Sequence, residues 1–140
     1  MRANELMCGD WVEFNSTNHQ VLEIYDYDIE GILYLDNDEI VQISKIKPIP
    51  LTKEILKNNG FELCGNEWQS HSVDDKEHVL IEFSEDNKVN ISVYNELTPK
   101  DNKGRADLVS FHRDWCSVFY VHQLQHAMND CEINKKINVK

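Results

Sequence analysis

The sequence is poor in basic residues, glycine and proline, and it has no long apolar run. Its 140 residues include 14 Lys or Arg against 25 Asp or Glu, with five Gly and three Pro. Apolar runs such as Ile32 to Leu35 are far shorter than the roughly 20 residues of a membrane-spanning helix, and the first residues carry no signal-peptide stretch. These absences exclude collagen-like, disordered and membrane-spanning classes, and we expect a cytoplasmic globular protein.

Two kinds of chemical motif are also missing. Cys8, Cys64, Cys116 and Cys131 lack the two-residue spacing of zinc or redox pairs, which predicts reduced, mostly buried thiols and no disulfide. No two glycines lie close enough together to form a phosphate-cradling loop. Nucleotide-dependent catalysis by the familiar routes is therefore excluded.

The charge is strongly negative and unevenly spread. The net charge is -11, and residues 1–50 hold ten acidic and three basic side chains. Such a surface is repelled by phosphate backbones and anionic membranes, so we expect neither direct nucleic-acid binding nor membrane binding. The acidic N-terminal half would suit a basic protein partner, although the same charge also serves solubility.

The N-terminal third predicts a small barrel. Short runs rich in β-branched and aromatic residues alternate with Asn, Asp and Gly turns. Four or five such strands bury a face only by curling or by lying on a neighbouring element. We expect residues 1–47 to form a strand-rich SH3-like barrel subdomain, with strands near 11–14, 21–25, 32–35 and 40–43.

Residues 48–140 predict an α+β subdomain that packs on the barrel. Pro48 and Pro50 indicate a stiff connector. Thr52 is placed to cap a helix over 52–59, and Gly60 to end it in a Schellman motif with Leu56 and Phe61 in contact. An antiparallel sheet, a loop over 95–107, a second helix near 118–131 and a frayed tail from Asn134 complete the prediction.

The candidate binding residues lie in the acidic N-terminal half. Tyr25 and Tyr27 alternate along one strand among carboxylates, which suits a cationic side chain. The segment from Asp26 resembles the first half of a calcium loop, but Asn37 stands where a bidentate Glu is required. The alternative is a weak cation site formed by Asp36, Asp38 and Glu39 at the same edge. The full candidate set is Tyr25, Asp26, Tyr27, Asp28, Glu30, Asp36, Asp38 and Glu39.

The last predicted helix carries a histidine pair without the rest of a catalytic motif. His122 and His126 have the spacing of a zinc-binding pair, but Gln123 replaces the general base and no third ligand is placed. We expect His122 to make a hydrogen bond that fixes the helix start and His126 to be exposed. Cys116 lies near His112 and Asp114, but no nucleophile signature surrounds it. No catalytic residue, metal or cofactor is predicted.

The block His122, Gln123, Leu124, Gln125 predicts a structural role. Polar side chains in a first helical turn bind unsatisfied backbone groups, while Leu124 enters the core. Together with Gly9-Asp10-Trp11-Val12, Pro48-Ile49-Pro50-Leu51-Thr52 and Asn59-Gly60-Phe61, the chain resembles a group of small uncharacterised proteins of Bacteroides, related gut bacteria and their phages and mobile elements. The group usually has Asn where His126 stands here. The resemblance implies a cytoplasmic bacterial or phage setting and no catalytic residues.

These observations favour a non-enzymatic interaction protein that binds a basic protein partner. One alternative is a phage or mobile-element inhibitor that imitates nucleic-acid charge, which requires carboxylates in rows at phosphate spacing. Another is a small metal-dependent hydrolase that uses His122, His126 and acidic side chains from elsewhere in the chain. The oligomeric state is left open.

Overall fold

The structure is a computed structural model that describes residues 3–26, 30–86, 88–97 and 108–140. Within these residues the protein is α+β, with two antiparallel five-stranded sheets and two α-helices. No helix in these ranges is long and apolar enough to cross a membrane.

The first sheet has the order β4-β3-β2-β1-β5. Its strands are β1 (Trp11–Phe14), β2 (Thr17–Asp26), β3 (Gly31–Leu35), β4 (Ile40–Gln42) and β5 (Lys47–Pro48). The second sheet has the order β10-β9-β8-β7-β6. Its strands are β6 (Glu62–Cys64), β7 (Glu67–His71), β8 (Glu77–Phe83), β9 (Val89–Glu96) and β10 (Leu108–Cys116), and the helices are α1 (Lys53–Asn58) and α2 (Val121–Asp130).

The first sheet is not closed into a barrel within the described residues, so the predicted closure is not observed. β4 and β5 stand at opposite edges of the strand order. The segment expected to be only a connector contributes β5, which pairs with β1 through Lys47 and Pro48. A proline is tolerated there because an edge strand leaves one row of backbone groups unpaired.

The predicted ends of α1 are confirmed. Thr52 Oγ1 accepts a hydrogen bond from Ile55 N at 3.2 Å. Gly60 has a φ of 81°, and Phe61 N donates to Leu56 O at 3.1 Å. This is the Schellman bond, and it brings the buried side chains of Leu56 and Phe61 together in the core.

β1 divides its side chains between two groups of buried residues. Trp11 belongs to the larger group, which fills the space between the second sheet, the helices and the C-terminal segment. Val12 belongs to the smaller group, which is formed by side chains of the first sheet and its adjoining segments. Successive strand residues point to opposite sides, so one short strand contributes to both cores. The division into subdomains 1–47 and 48–140 stays a prediction.

The C-terminal segment is docked, and the prediction of a frayed tail is wrong. Ile137 is only 4% exposed, and its carbonyl accepts the Trp11 indole N–H at 2.7 Å. Asn18 Nδ2 donates to Val139 O, and Asn138 N donates to Asn59 Oδ1. Residues 133–140 therefore connect the first sheet to α1.

Two smaller predictions also need correction. All four cysteines are free as expected, but Cys131 alone is buried while Cys8 and Cys64 are exposed, so the thiols are not mostly buried. β9 extends to Glu96 into the predicted loop, and residues 98–107 of that loop lie outside the described residues.

The docked segment generates a stability prediction. Ile137→Ala removes a buried side chain and should lower the free energy of unfolding by about 2–5 kcal/mol. The matched control is Lys136→Ala, an exposed neighbour, which should change it by less than about 0.5 kcal/mol. Chemical denaturation measures both variants. Equal effects of the two substitutions would contradict the docking.

Candidate protein-binding face

The outer face of β2–β4 is the part of the acidic half that presents side chains to solvent. Register pairs Glu23 with Tyr34, Tyr25 with Ile32, and Tyr34 with Ile40, so these side chains are neighbours on one side of the sheet. Leu33 and Val41, on the other side, belong to the smaller core. The face comprises Glu23, Tyr25, Ile32, Tyr34, Ile40 and Gln42.

A β-bulge in β2 sets which side chains reach this face. Val21 pairs with Leu35 and Glu23 with Tyr34, so two steps on β2 match one step on β3. The extra residue is Leu22, which is exposed. After the bulge the alternation restarts one position later, so Tyr25 points outward while Ile24 packs against the core.

Both tyrosines on this face donate hydrogen bonds to carboxylates. Tyr25 OH donates a hydrogen bond to Glu23 Oε2, and Tyr34 OH donates to Asp38 Oδ1 at 2.7 Å. The Asp38 carboxylate accepts this bond and thereby raises the pKa of Tyr34. Negative charge is thus fixed against aromatic rings, a combination that attracts a cationic side chain.

Apolar surface lies between these charged groups. Ile40 is 70% exposed and directly opposes Tyr34, and the exposed Tyr25 lies on the same face, opposite Ile32. Single exposed apolar residues are common on protein surfaces, whereas a contiguous set with a polar rim is typical of a protein-binding site.

Some of the other predicted binding residues lie at or near this face, some lie outside the described residues, and Asp36 lies elsewhere. Asp38 lies at this face, Glu39 is exposed in the turn before β4, and Glu30 Oε1 accepts a hydrogen bond from Ser44 N at 3.4 Å. The side chain of Asp26 and the whole of Tyr27 and Asp28 lie outside the described residues.

Asp36 faces the C-terminal segment instead. Its carboxylate lies 3.1 Å from His19 Nδ1 and 2.7 Å from Lys140 Nζ. Burial acts to raise the pKa of Asp36, but the bonds from Lys140, Gln20 and His19 outweigh it and hold the pKa below its ordinary value. Because Asp36 is engaged here and Asp38 by Tyr34, the proposed cation site of Asp36, Asp38 and Glu39 is not assembled.

The predicted structural block joins α2 to the first sheet. Gln123 Oε1 accepts a hydrogen bond from Tyr120 N at 2.9 Å and so satisfies the backbone N–H of the N-cap residue, and Leu124 is fully buried. Gln125 Oε1 accepts from Trp11 N at 3.1 Å, while its Nε2 donates to Gly9 O at 3.0 Å. The amide of Gln125 thus satisfies the backbone N–H of Trp11, the first residue of β1, and the backbone carbonyl of Gly9, two residues before it.

The two histidines of α2 differ from their predicted roles. His122 is buried and, among the described residues, its Nδ1 has no hydrogen-bond partner, so Gln123 and not His122 fixes the helix start. His126 is only partly exposed, and its Nε2 lies 2.7 Å from Asp10 Oδ2. The two histidines that have zinc-pair spacing in the sequence therefore serve core packing, in the case of His122, and a contact with Asp10, in the case of His126.

Asp10 and His126 line a cleft of about 250 Å³ between the first sheet, α2 and the C-terminal segment. Burial raises the pKa of Asp10, although hydrogen bonds from Met7 N at 2.8 Å and from His126 act to lower it. Burial also lowers the pKa of His122, against the opposing charge of Asp10. Cys116 and His112, which lie close together in the sequence without a nucleophile signature, do not line this cleft.

Sequence reasoning missed two pairings of chemically active side chains. The Asp10–His126 contact joins residues 116 positions apart, and no local pattern predicts it. The contact of His71 with His78 follows from the register of β7 and β8. Pairing residues outward from the turn between the two strands could have predicted it from the sequence.

The buried His122 generates a prediction on pH dependence. Its folded pKa lies below the unfolded value near 6.5, so its contribution to stability is complete above about pH 6.5 and is lost as the pH falls toward the folded pKa. His122→Gln should reduce the fall in unfolding free energy below pH 6.5, by up to about 1.4 kcal/mol per pH unit.

The measurement is chemical denaturation at several pH values, with His112→Gln as the exposed control. That control should retain the pH dependence of the wild-type protein. An unchanged pH profile in His122→Gln would show that other groups cause the acid destabilisation.

Comparison with known proteins gives limited matches. No known protein family and no solved structure matches the chain. Over 93 residues it is 29% identical to probable transcriptional regulatory proteins from two strains of Bacteroides fragilis. The match covers 60% of this chain and 38% of each relative, so the chain spans well under half the length of the curated relatives it matches.

Proposed function

We propose that this chain is a non-enzymatic interaction protein that binds a basic segment of another protein through the outer face of β2–β4. The observation that carries the proposal is the pair of tyrosine-held carboxylates, Glu23 and Asp38, beside the exposed Ile40. A Lys or Arg side chain would place its charged end on the carboxylates and its methylene groups on the apolar surface.

The charge of the chain supports a basic partner. The net charge is -11, so long-range attraction favours encounter with a positively charged segment, and complementary charge also excludes acidic partners. Of the candidate carboxylates whose side chains are described, Asp36 is neutralised internally by Lys140, which leaves Glu30, Asp38 and Glu39 for the partner, and Glu23 joins them on the face.

A protein partner is favoured over imitation of DNA. A DNA mimic needs carboxylates in unbroken rows at roughly the 6–7 Å spacing of phosphates along one strand. On the described part of this face, Ile32, Tyr34 and Ile40 separate the carboxylates. The metal-dependent hydrolase is disfavoured because it needs His122, His126 and an acidic side chain to converge, and among the described residues Asp10 approaches His126 without the three ligand atoms lying within 4.8 Å of one another.

The proposal extends to the fold and the setting. The order β5-β1-β2-β3-β4, with the long bulged β2 shared between both ends of the sheet, supports an SH3-like arrangement of residues 1–47. The resemblance to small Bacteroides and phage proteins supports a cytoplasmic setting. The similar Bacteroides fragilis proteins are named as transcriptional regulators, and a chain this acidic would take part in such regulation through a protein and not through DNA.

The test is an NMR titration of the full chain with a synthetic peptide of alternating Lys and Gly, at low and at physiological salt. Amide shifts should change in β2, β3 and β4, and binding should weaken as salt is added. Asp38→Lys should lower the affinity by more than about tenfold, because a like charge then opposes the peptide.

The matched control is Glu62→Lys, which makes the same charge change on the exposed strand β6 and should alter the affinity by less than about twofold. Tyr34→Phe removes the hydroxyl that positions Asp38 and should have an intermediate effect. Equal losses in Asp38→Lys and Glu62→Lys would mean that net charge alone drives binding, and the proposed face would be wrong.

A further inference from the structure

A second group of chemically active side chains lies on the outer face of the second sheet. β7 and β8 form a hairpin in which His71 is the direct cross-strand partner of His78. Their Nδ1 atoms are 2.6 Å apart. Asp75, in the connecting turn, places Oδ1 3.9 Å from His78 Nδ1, and one ligand atom from each of the three residues lies within 4.8 Å of the others.

Hydrogen bonds at the far nitrogens orient both imidazole rings. His78 Nε2 donates to the carbonyl oxygen of Asp75 at 2.9 Å, and His71 Nε2 donates to Gln69 Oε1 at 3.0 Å. The orientation of the Gln69 amide is set in turn, because its Nε2 donates to Glu67 Oε1 at 3.0 Å. A neutral imidazole has one N–H, so with Nε2 protonated in each ring both Nδ1 atoms carry lone pairs.

Two nitrogen lone pairs that face each other at 2.6 Å repel unless a positive charge lies between them. A shared proton or a metal ion would supply that charge. An oxygen acceptor on the far nitrogen is the arrangement that orients metal-binding histidines, and here both rings have one. The Asp75 carboxylate adds an oxygen ligand on the same side, which a shared proton would not need.

We propose that His71, Asp75 and His78 bind a divalent transition-metal ion of the Zn²⁺ class. Zinc accepts imidazole nitrogen and carboxylate oxygen at about 2.0–2.2 Å, and a set of three protein ligands leaves the fourth tetrahedral position to water. Imidazole is also a good ligand for Ni²⁺ and Cu²⁺, which would compete for the same site.

Small movements fit the site to the ion. Two nitrogen ligands of a tetrahedral zinc ion are separated by about 3.3 Å, so the histidine pair must open by less than about 1 Å. His71 is exposed and can move outward. His78 is only 6% exposed and stacks on the Tyr94 ring at 4.5 Å, so it supplies the fixed ligand.

The turn between the strands holds Asp75 in place before any ion binds. Ser72 Oγ accepts hydrogen bonds from Lys76 N at 3.2 Å and from Glu77 N at 2.9 Å, and it donates to Asp74 Oδ1 at 2.6 Å. Asp75 itself has a φ of 57°, a conformation that Asp and Asn adopt more readily than most residues. Asp75→Asn therefore removes the charge without disturbing the turn.

The test is isothermal titration of the full, untagged chain with zinc chloride. Cys8 and Cys64 are exposed free thiols, a ligand type that zinc favours, so both are first replaced by serine to keep the histidine site separate. In this background we expect one equivalent of zinc to bind. His71→Asn and Asp75→Asn should each weaken binding by more than about tenfold, and Gln69→Ala by about 10–100-fold through loss of ring orientation.

The matched control is His112→Asn, which removes another histidine from the outer face of the same sheet and should leave zinc affinity unchanged. Cobalt replaces zinc for a spectroscopic readout, and visible absorption typical of tetrahedral Co²⁺ should appear in the background chain and disappear in His71→Asn. Circular dichroism establishes that each variant is folded. Absence of stoichiometric binding, undiminished binding in both His71→Asn and Asp75→Asn, or an equal loss in His112→Asn would overturn the proposal.

Discussion

The position of Trp11 is the constraint on which the rest of the structure depends. Its side chain enters the larger core from a strand of the first sheet, while the next residue, Val12, enters the smaller core. Its indole N–H is bound by Ile137 O and its backbone N–H by Gln125 Oε1. One residue thus anchors β1, α2 and the C-terminal segment together, and it does so from within the larger of the two groups of buried residues.

This junction decides which surfaces remain for function. The inner faces of both sheets are occupied by core packing, and the C-terminal segment takes Asp36 through Lys140. The outer face of β2–β4 and the outer face of β7–β9 are left to solvent. One carries tyrosines with carboxylates, and the other carries His71 and His78, so the two faces are suited to different ligands. Binding at either face need not disturb the core.

Two sequence blocks far apart in the chain, Gly9 to Val12 and His122 to Gln125, are in contact in the fold. Trp11 N donates a hydrogen bond to Gln125 Oε1, Gln125 Nε2 donates to Gly9 O, and His126 Nε2 lies 2.7 Å from Asp10 Oδ2. The bonds of Gln125 fit the scaffold role expected for the block, since they satisfy backbone groups at the start of β1. The predicted hydrogen bond of His122 is wrong because residue spacing places an imidazole on one face of a helix but does not determine whether a hydrogen-bond partner lies opposite it.

The sequence by itself determined the strands with period-two apolar residues, the cap and Schellman end of α1, and the acidic character of the first 50 residues, because each depends on neighbouring backbone or on composition alone. Tertiary structure decided that the C-terminal segment docks, that Asp36 is neutralised by Lys140 across 104 positions, and that a bulge turns Tyr25 outward. Those outcomes depend on which surfaces meet in space, and the free energy of burying Ile137 or pairing Asp36 exists only after distant segments have been brought together.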